Sequence, residues 1–148
     1  MTNSLPSTDR SLPIALLRAR EKVMGPIRAL LSDAELTEQQ WRVLRVVQES
    51  GDIDPTQISE RACLLLPSLT RILQKLDDRG LIERQKDLED RRRQIIRITP
   101  AGEQIIDDNL GASLAVIAQT RAKMGAEKYE ALLDLLNELN RSEPSKAD

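Results

Sequence analysis

From Leu12 onward the apolar positions Leu16, Ala19, Val23, Ile27 and Leu30 recur at intervals of three or four, which predicts a first helix over 12–32. Gly25-Pro26 lies inside it and predicts a kink, because proline removes a backbone donor and crowds the preceding turn. Thr37 and Gln40 stand ahead of Trp41, Leu44 and Val47 with capping-box spacing, so a second helix is expected over 38–49, ended by Ser50-Gly51. Ile53 stands alone between aspartates and reads as one short strand. Asp54, Pro55 and Gln57 form a second capping box with proline at the first helical position, opening a short helix over 55–62. Pro67 marks a fourth helix running to Arg79, where Gly80 supplies a C-terminal stop.

The period then changes. LIERQKDLEDRRRQIIRIT reads as two strands, 81–86 and 93–98, around a charged loop. Thr99-Pro100 caps a long helix over 100–121, with Ile105, Ile106, Leu110, Leu114 and Ile117 along it. Gly125 breaks it, and a last helix over 126–140 carries Leu132, Leu133, Leu136 and Leu139. The order specifies a mainly α fold with a small β-wing: a winged helix-turn-helix, 36–99, flanked by helices over 11–35 and 100–141. Those flanking helices carry apolar faces that a small module cannot cover by itself, so they are expected to pair two copies as a homodimer. Residues 1–10 read as a flexible arm and 142–148 as a flexible tail.

Composition removes several classes of function. The 148 residues suit one domain. The absence of histidine removes the usual general base and the commonest metal ligand. One cysteine, Cys63, makes neither an internal disulfide nor a thiolate metal site; among Ala62, Leu64 and Leu65 it reads as core packing. Ser68 and Thr70 have no base partner, so no enzyme is expected, and no cofactor. No stretch approaches the ~20 apolar residues of a membrane span, and the polar start MTNSLPSTDR does not read as a signal peptide, so the expected compartment is the cytoplasm.

Charge sharpens the picture. The net charge is −2, yet residues 61–97 hold ten Lys or Arg against six Asp or Glu, +4, while the remainder holds twelve against eighteen, −6. A basic middle in an acidic chain points to an acidic partner there. On the fourth helix Leu69, Ile72, Leu73 and Leu76 share one face, and Ser68, Thr70, Arg71, Gln74, Lys75 and Asp78 the other. Any amphipathic surface helix shows such a division, but a recognition helix needs it: one stripe packs, and the other presents donors and cations to the major groove. Ser68 and Thr70 are placed to donate to phosphates, and Arg71 and Gln74 reach base edges. At the hairpin tip Arg91, Arg92 and Arg93 follow Asp90; arginine suits a narrow minor groove, and a bidentate pair from Asp90 would hold one of them in place.

The stretch from Ser68 to Thr99 resembles the MarR family of bacterial transcription regulators. The matching motifs are Thr70-Arg71-Ile72-Leu73-Gln74-Lys75-Leu76, Arg79-Gly80-Leu81-Ile82-Glu83-Arg84, and Asp87 through Thr99 with Asp90-Arg91-Arg92 inside it; Leu88 stands where the family usually has proline. The resemblance implies a homodimeric repressor on a pseudo-palindromic double-stranded DNA operator, with DNA contacts from Ser68, Thr70, Arg71, Gln74, Lys75, Arg84, Asp90, Arg91, Arg92 and Arg93. Residues 11–21, 36–45 and 61–73, with Met24 and Arg28, resemble the family's branch that regulates homoprotocatechuate and 4-hydroxyphenylacetate breakdown; Ala29 replaces an expected proline. That branch implies release by a small aromatic acid.

Cations for such an effector are at hand. Arg20 lies close to the apolar stripe of the first helix, where a cation must be paired or bind an anion. Trp41 stands beside Arg42, with Arg45 one turn on, and an arginine fork with an indole face suits a ring-bound carboxylate. Two readings stay open for these four: effector contacts, or Arg20 paired to a protein carboxylate, Trp41 in the core and Arg45 on the surface. Two functional alternatives also stay open, a cinnamate- or benzoate-type ligand and a protein-binding winged module without DNA.

Overall fold

Residues 3–142 are described by the computed structural model. The elements in chain order are α1 (Leu12–Asp33), α2 (Glu38–Ser50), α3 (Pro55–Ala62), α4 (Leu66–Asp78), β1 (Ile82–Lys86), β2 (Gln94–Ile98), α5 (Pro100–Asp108), α6 (Leu110–Met124) and α7 (Ala126–Arg141). The chain divides into two units, one ending at Ser113 and one beginning at Leu114.

Local chemistry sets most boundaries of the first unit. Both capping boxes form: at α2 the Gln40 N–H donates to Thr37 Oγ1 and the Thr37 N–H to Gln40 Oε1, each at 3.1 Å. At α3 the Gln57 N–H donates to Asp54 Oδ1 at 2.8 Å. The last turn of α4 closes with Gly80 N to Asp77 O at 2.9 Å and Leu81 N to Leu76 O at 2.9 Å. Gly80 has φ 72°, which an L side chain adopts only with strain. That reversal launches β1, which pairs antiparallel with β2 from Ile82↔Ile98 to Lys86↔Gln94. Ile53 adds a bridge to Ile96, so the isolated apolar residue caps the wing sheet rather than forming a strand of its own.

The core is aliphatic throughout. Leu31, Val43, Leu44, Val47, Ile58, Leu69, Leu76, Ile82, Ile96 and Ile106 are all buried. Thus α2, α3, α4 and the wing sheet close around one another, and the predicted stripe of α4 (Leu69, Ile72, Leu73, Leu76) is wholly inside. Gly102 marks the tightest approach: a Cβ there would collide with the Leu81 carbonyl and lie 2.7 Å from Ile98 Cγ1.

Several expectations change. The arm is partly built: Thr8–Arg10 forms a 3-10 turn, and Arg18 bonds Asp9 at 2.9 Å and Thr8 at 3.1 Å. Residues 1–2, and all of the expected tail except Ser142, lie outside the described residues. Helix α1 runs as one helix from Leu12 to Asp33, with Pro26 inside it. The long helix of 100–121 is two helices, α5 and α6. Asn109 separates them: its Nδ2 donates to the Ile105 carbonyl at 2.8 Å, and its N–H is shared between Ile105 and Ile106. A short amide side chain competing for backbone groups breaks the ladder there. Cys63 is not core. It is exposed, at φ 52°, where the chain reverses after α3.

Candidate functional site

The exposed face of α4 and the wing carry the candidate DNA contacts. Helix α4 begins at Leu66 with no side-chain cap, so its first N–H groups have no capping side chain to bond. Such a terminus favours an anion. Ser68 is half-buried, while Thr70, Arg71, Gln74 and Lys75 are exposed. The Thr70 hydroxyl donates back to the Leu66 carbonyl at 3.0 Å, so as folded it offers lone pairs rather than the expected donor. Among the described residues neither Arg71 nor Lys75 is in an ion pair.

The three wing arginines part company. Arg91 and Arg92 are exposed and in no ion pair among the described residues, whereas Arg93 pairs through Nη2 with Asp54 Oδ2 at 2.9 Å. Asp54 caps α3, so this bond ties the wing to the helix before the turn. Arg97 does the same lower on β2, donating twice to Asp52 at 2.7 Å. The expected bidentate pair from Asp90 to an arginine does not form. Its Oδ1 accepts from the Arg92 N–H at 3.1 Å, and Asp87 accepts from the Glu89 N–H at 3.0 Å. Two such Asx turns shape the loop, because a short carboxylate reaches a backbone N–H two residues on more easily than a neighbouring guanidinium. Arg84 turns inward, its side chain only 22% exposed and paired with Asp77 at 2.7 Å. A cleft of about 530 Å³ lies between the wing and the start of α3, lined by Asp54, Thr56, Lys86, Arg91 and Arg92 among others.

The effector candidates fall on α1 and α2. Arg20 bonds Glu38, and Arg28 bonds Glu38 at 3.1 Å and Glu21 at 2.9 Å. The Arg20 hydrogen bond is the main reason that the Glu38 carboxyl sits below the usual carboxylate range. Glu21 is lowered chiefly by its hydrogen bond from Arg28. Trp41 is half-buried against the core. Arg42 Nε is buried with no hydrogen-bond partner, and Arg45 is exposed. A buried, unpartnered guanidinium N–H is costly, and an incoming carboxylate would satisfy it. Glu38 was not among the expected site residues, although Arg20 and Arg28 stand two helical turns apart on one face, a signal already in the spacing that two cations converge there.

Residues 36–93 match the model of the MarR family. The HTH-type transcriptional regulator FarR of Neisseria gonorrhoeae is 37% identical over 140 residues, 93% of this chain and 94% of that protein. The homoprotocatechuate degradative operon repressor of Escherichia coli is 39% identical over 128 residues, 86% of each. The chain belongs to the MarR family. Among solved MarR-family structures, NadR in complex with 4-hydroxyphenylacetate superposes with a TM-score of 0.84 at 36% identity, covering 97% of this chain and 99% of NadR. A MarR mutant from Escherichia coli complexed with operator DNA shares the fold, with a TM-score of 0.78 at 21% identity. The chain is thus a MarR-family transcriptional regulator with a winged-helix fold, and these relatives are regulators rather than enzymes. Among the described residues no helix is long and apolar enough to cross a membrane.

Proposed function

We propose that this MarR-family chain is a homodimeric repressor that binds a pseudo-palindromic DNA operator and is released by a small aromatic carboxylate. One observation carries the DNA reading. Arg71 and Lys75 on α4 and Arg91 and Arg92 on the wing are exposed cations outside any described ion pair, in a chain of net charge −2. Free guanidinium and ammonium groups on a helix and a hairpin tip match phosphate, base-edge and minor-groove contact. Two recognition helices about 34 Å apart would enter successive major grooves. Ser68, Thr70, Gln74, Asp90 and Arg93 complete the surface.

The effector reading rests on Arg42, Trp41, Arg20 and Arg45. It draws support from the 4-hydroxyphenylacetate held by NadR and from the name of the Escherichia coli repressor. Homoprotocatechuate and 4-hydroxyphenylacetate are the acids we expect. Arg42 takes the carboxylate and Trp41 packs on the ring, while Arg20 is already engaged by Glu38.

Fluorescence anisotropy with the chain's own upstream DNA tests both halves. Arg71→Ala is expected to cost about 1–3 kcal/mol on the preferred site, as for a lost base contact. Arg92→Ala is expected to weaken every duplex and to lower the salt slope by about 1. Unchanged affinity and slope in Arg92→Ala would take the wing off the DNA. Titration with 4-hydroxyphenylacetate is expected to change Trp41 fluorescence and release the duplex. No change in either signal rejects the aromatic-acid assignment.

A further inference from the structure

Arg84 does not project with the other cations of the wing. It shares a strand face with Ile82, which is buried, so alternation aims it at α4 rather than outward. Its Nε and Nη2 both donate to Asp77 Oδ2, at 2.9 and 2.7 Å. The same Nη2 donates to Gln74 Oε1 at 2.9 Å, and Gln74 Nε2 in turn donates to Asp78 Oδ1 at 2.8 Å. The Gln74 amide is therefore gripped from both ends. Flipping it would set NH2 against a guanidinium and a carbonyl against a carboxylate, repulsive on both sides. By count, the gripped amide keeps one free N–H and one free lone pair. A side-chain amide with one donor and one acceptor to offer matches the N7 and N6 of adenine in the major groove.

We infer that Arg84 is a positioning residue: it holds the Gln74 amide in the single orientation that reads an adenine, and does not itself touch DNA. This rests on the DNA-binding reading above and assigns a specificity device to that surface. Arg84 acts from the wing strand, so the wing's seating on α4 and the base preference of α4 are one property. Lysine cannot replace it, because a point ammonium lacks the planar fork that spans Asp77 and Gln74 together.

Selection from a library of random duplexes defines the preferred site of the wild-type protein, and anisotropy then compares variants on single-base changes of that site. Gln74→Ala is expected to lose about tenfold discrimination at one A·T pair. Arg84→Met and Arg84→Lys are expected to lose it at the same pair, with the salt slope unchanged. Adding Arg84→Met to Gln74→Ala is expected to cost no further discrimination. Asp77→Asn, which loosens the clamp while keeping both other side chains, is expected to give a smaller loss at that pair. It decides the matter should Arg84→Met fail a thermal melt. Three results would overturn the inference alone: a salt slope reduced by about 1 in Arg84→Met, the mark of a phosphate contact; full discrimination retained in Arg84→Lys; or full discrimination in Asp77→Asn. A library that yields no preferred duplex for the wild type overturns the DNA reading together with it.

Discussion

Cys63 sits at φ 52° because α3 must stop and the chain must reverse before α4. The Leu64 N–H returns to the Ser59 carbonyl at 3.1 Å, and only a left-handed residue between them allows that bond. Cysteine takes this conformation with strain of about 1–2 kcal/mol. Its apolar neighbours suggested a buried thiol, yet only Ala62 and Leu64 pack into the core, while Leu65 is 79% and Leu66 48% exposed. Glycine relieves the strain and gives back part of the gain through its more flexible unfolded chain. Cys63→Gly is therefore expected to stabilise by about 0.5 kcal/mol, read as a higher urea midpoint. A lower midpoint would show that the Cys63 side chain stabilises the fold.

The wing is held to α4 and to the segment before α3 by ion pairs as well as by its own ladder. Arg93 reaches Asp54, Arg97 reaches Asp52, and Arg84 reaches Asp77. Between the helices, Arg20 and Arg28 converge on Glu38 of α2. Exposed pairs of this kind contribute little each at neutral pH. Their signature is the acid limb. Hydrogen bonding from Arg97 lowers the Asp52 carboxyl from its ordinary 3.8, and the guanidinium bonds lower Glu38 and Glu21 from 4.5. A carboxylate depressed in the folded state stabilises fully above its unfolded pKa, and that stability is lost as pH falls through the folded value. With no histidine in the chain, little titrates near neutrality. Urea unfolding is therefore expected to give a nearly flat stability from about pH 6 to 8 and a fall below about pH 4.5. Asp52→Asn is expected to make that fall shallower. An acid limb unaltered by Asp52→Asn would mean that the Arg97 pair does not hold the wing.

Burial is uneven along the chain. The buried apolar cluster runs from Leu31 to Ile106, and α6 and α7 contain no buried residue. Leu114, Ile117, Leu132, Leu133, Leu135 and Leu139 are all at least 40% exposed. The start of α1 is similar, with Leu12, Leu16 and Leu17 exposed. Apolar side chains repeated at helical spacing and left in water suit the second copy proposed above. Light scattering at micromolar concentration is expected to give twice the chain mass of 16.7 kDa. Leu132→Asp with Leu139→Asp is expected to shift that mass toward the monomer. A wild-type mass of one chain would remove the dimer from the proposed function.

The helices, the hairpin and the buried stripe of α4 were legible in the amino-acid order because their signals are local. A capping box spans four residues, a glycine stop one, and a helical stripe repeats every three or four, so Thr37, Asp54, Gly80 and the Leu69–Leu76 face could be read without knowing what lies opposite. The break at Asn109 was not, since its amide bonds its own helix in a way that periodicity does not record. Partner choice was not legible either. Three arginines in a row look alike in sequence, yet the fold brings Asp54 to Arg93 and leaves Arg91 and Arg92 in no described ion pair. Arg84 reads as one more wing cation until the strand pairing turns it onto Asp77 and Gln74. A long flexible guanidinium reaches whichever carboxylate the tertiary structure carries within a few ångströms, from seven, eighteen or thirty-nine residues away. Sequence therefore determined which face each charge occupies, and only the folded chain decided which charges are used internally and which stay outside any described ion pair.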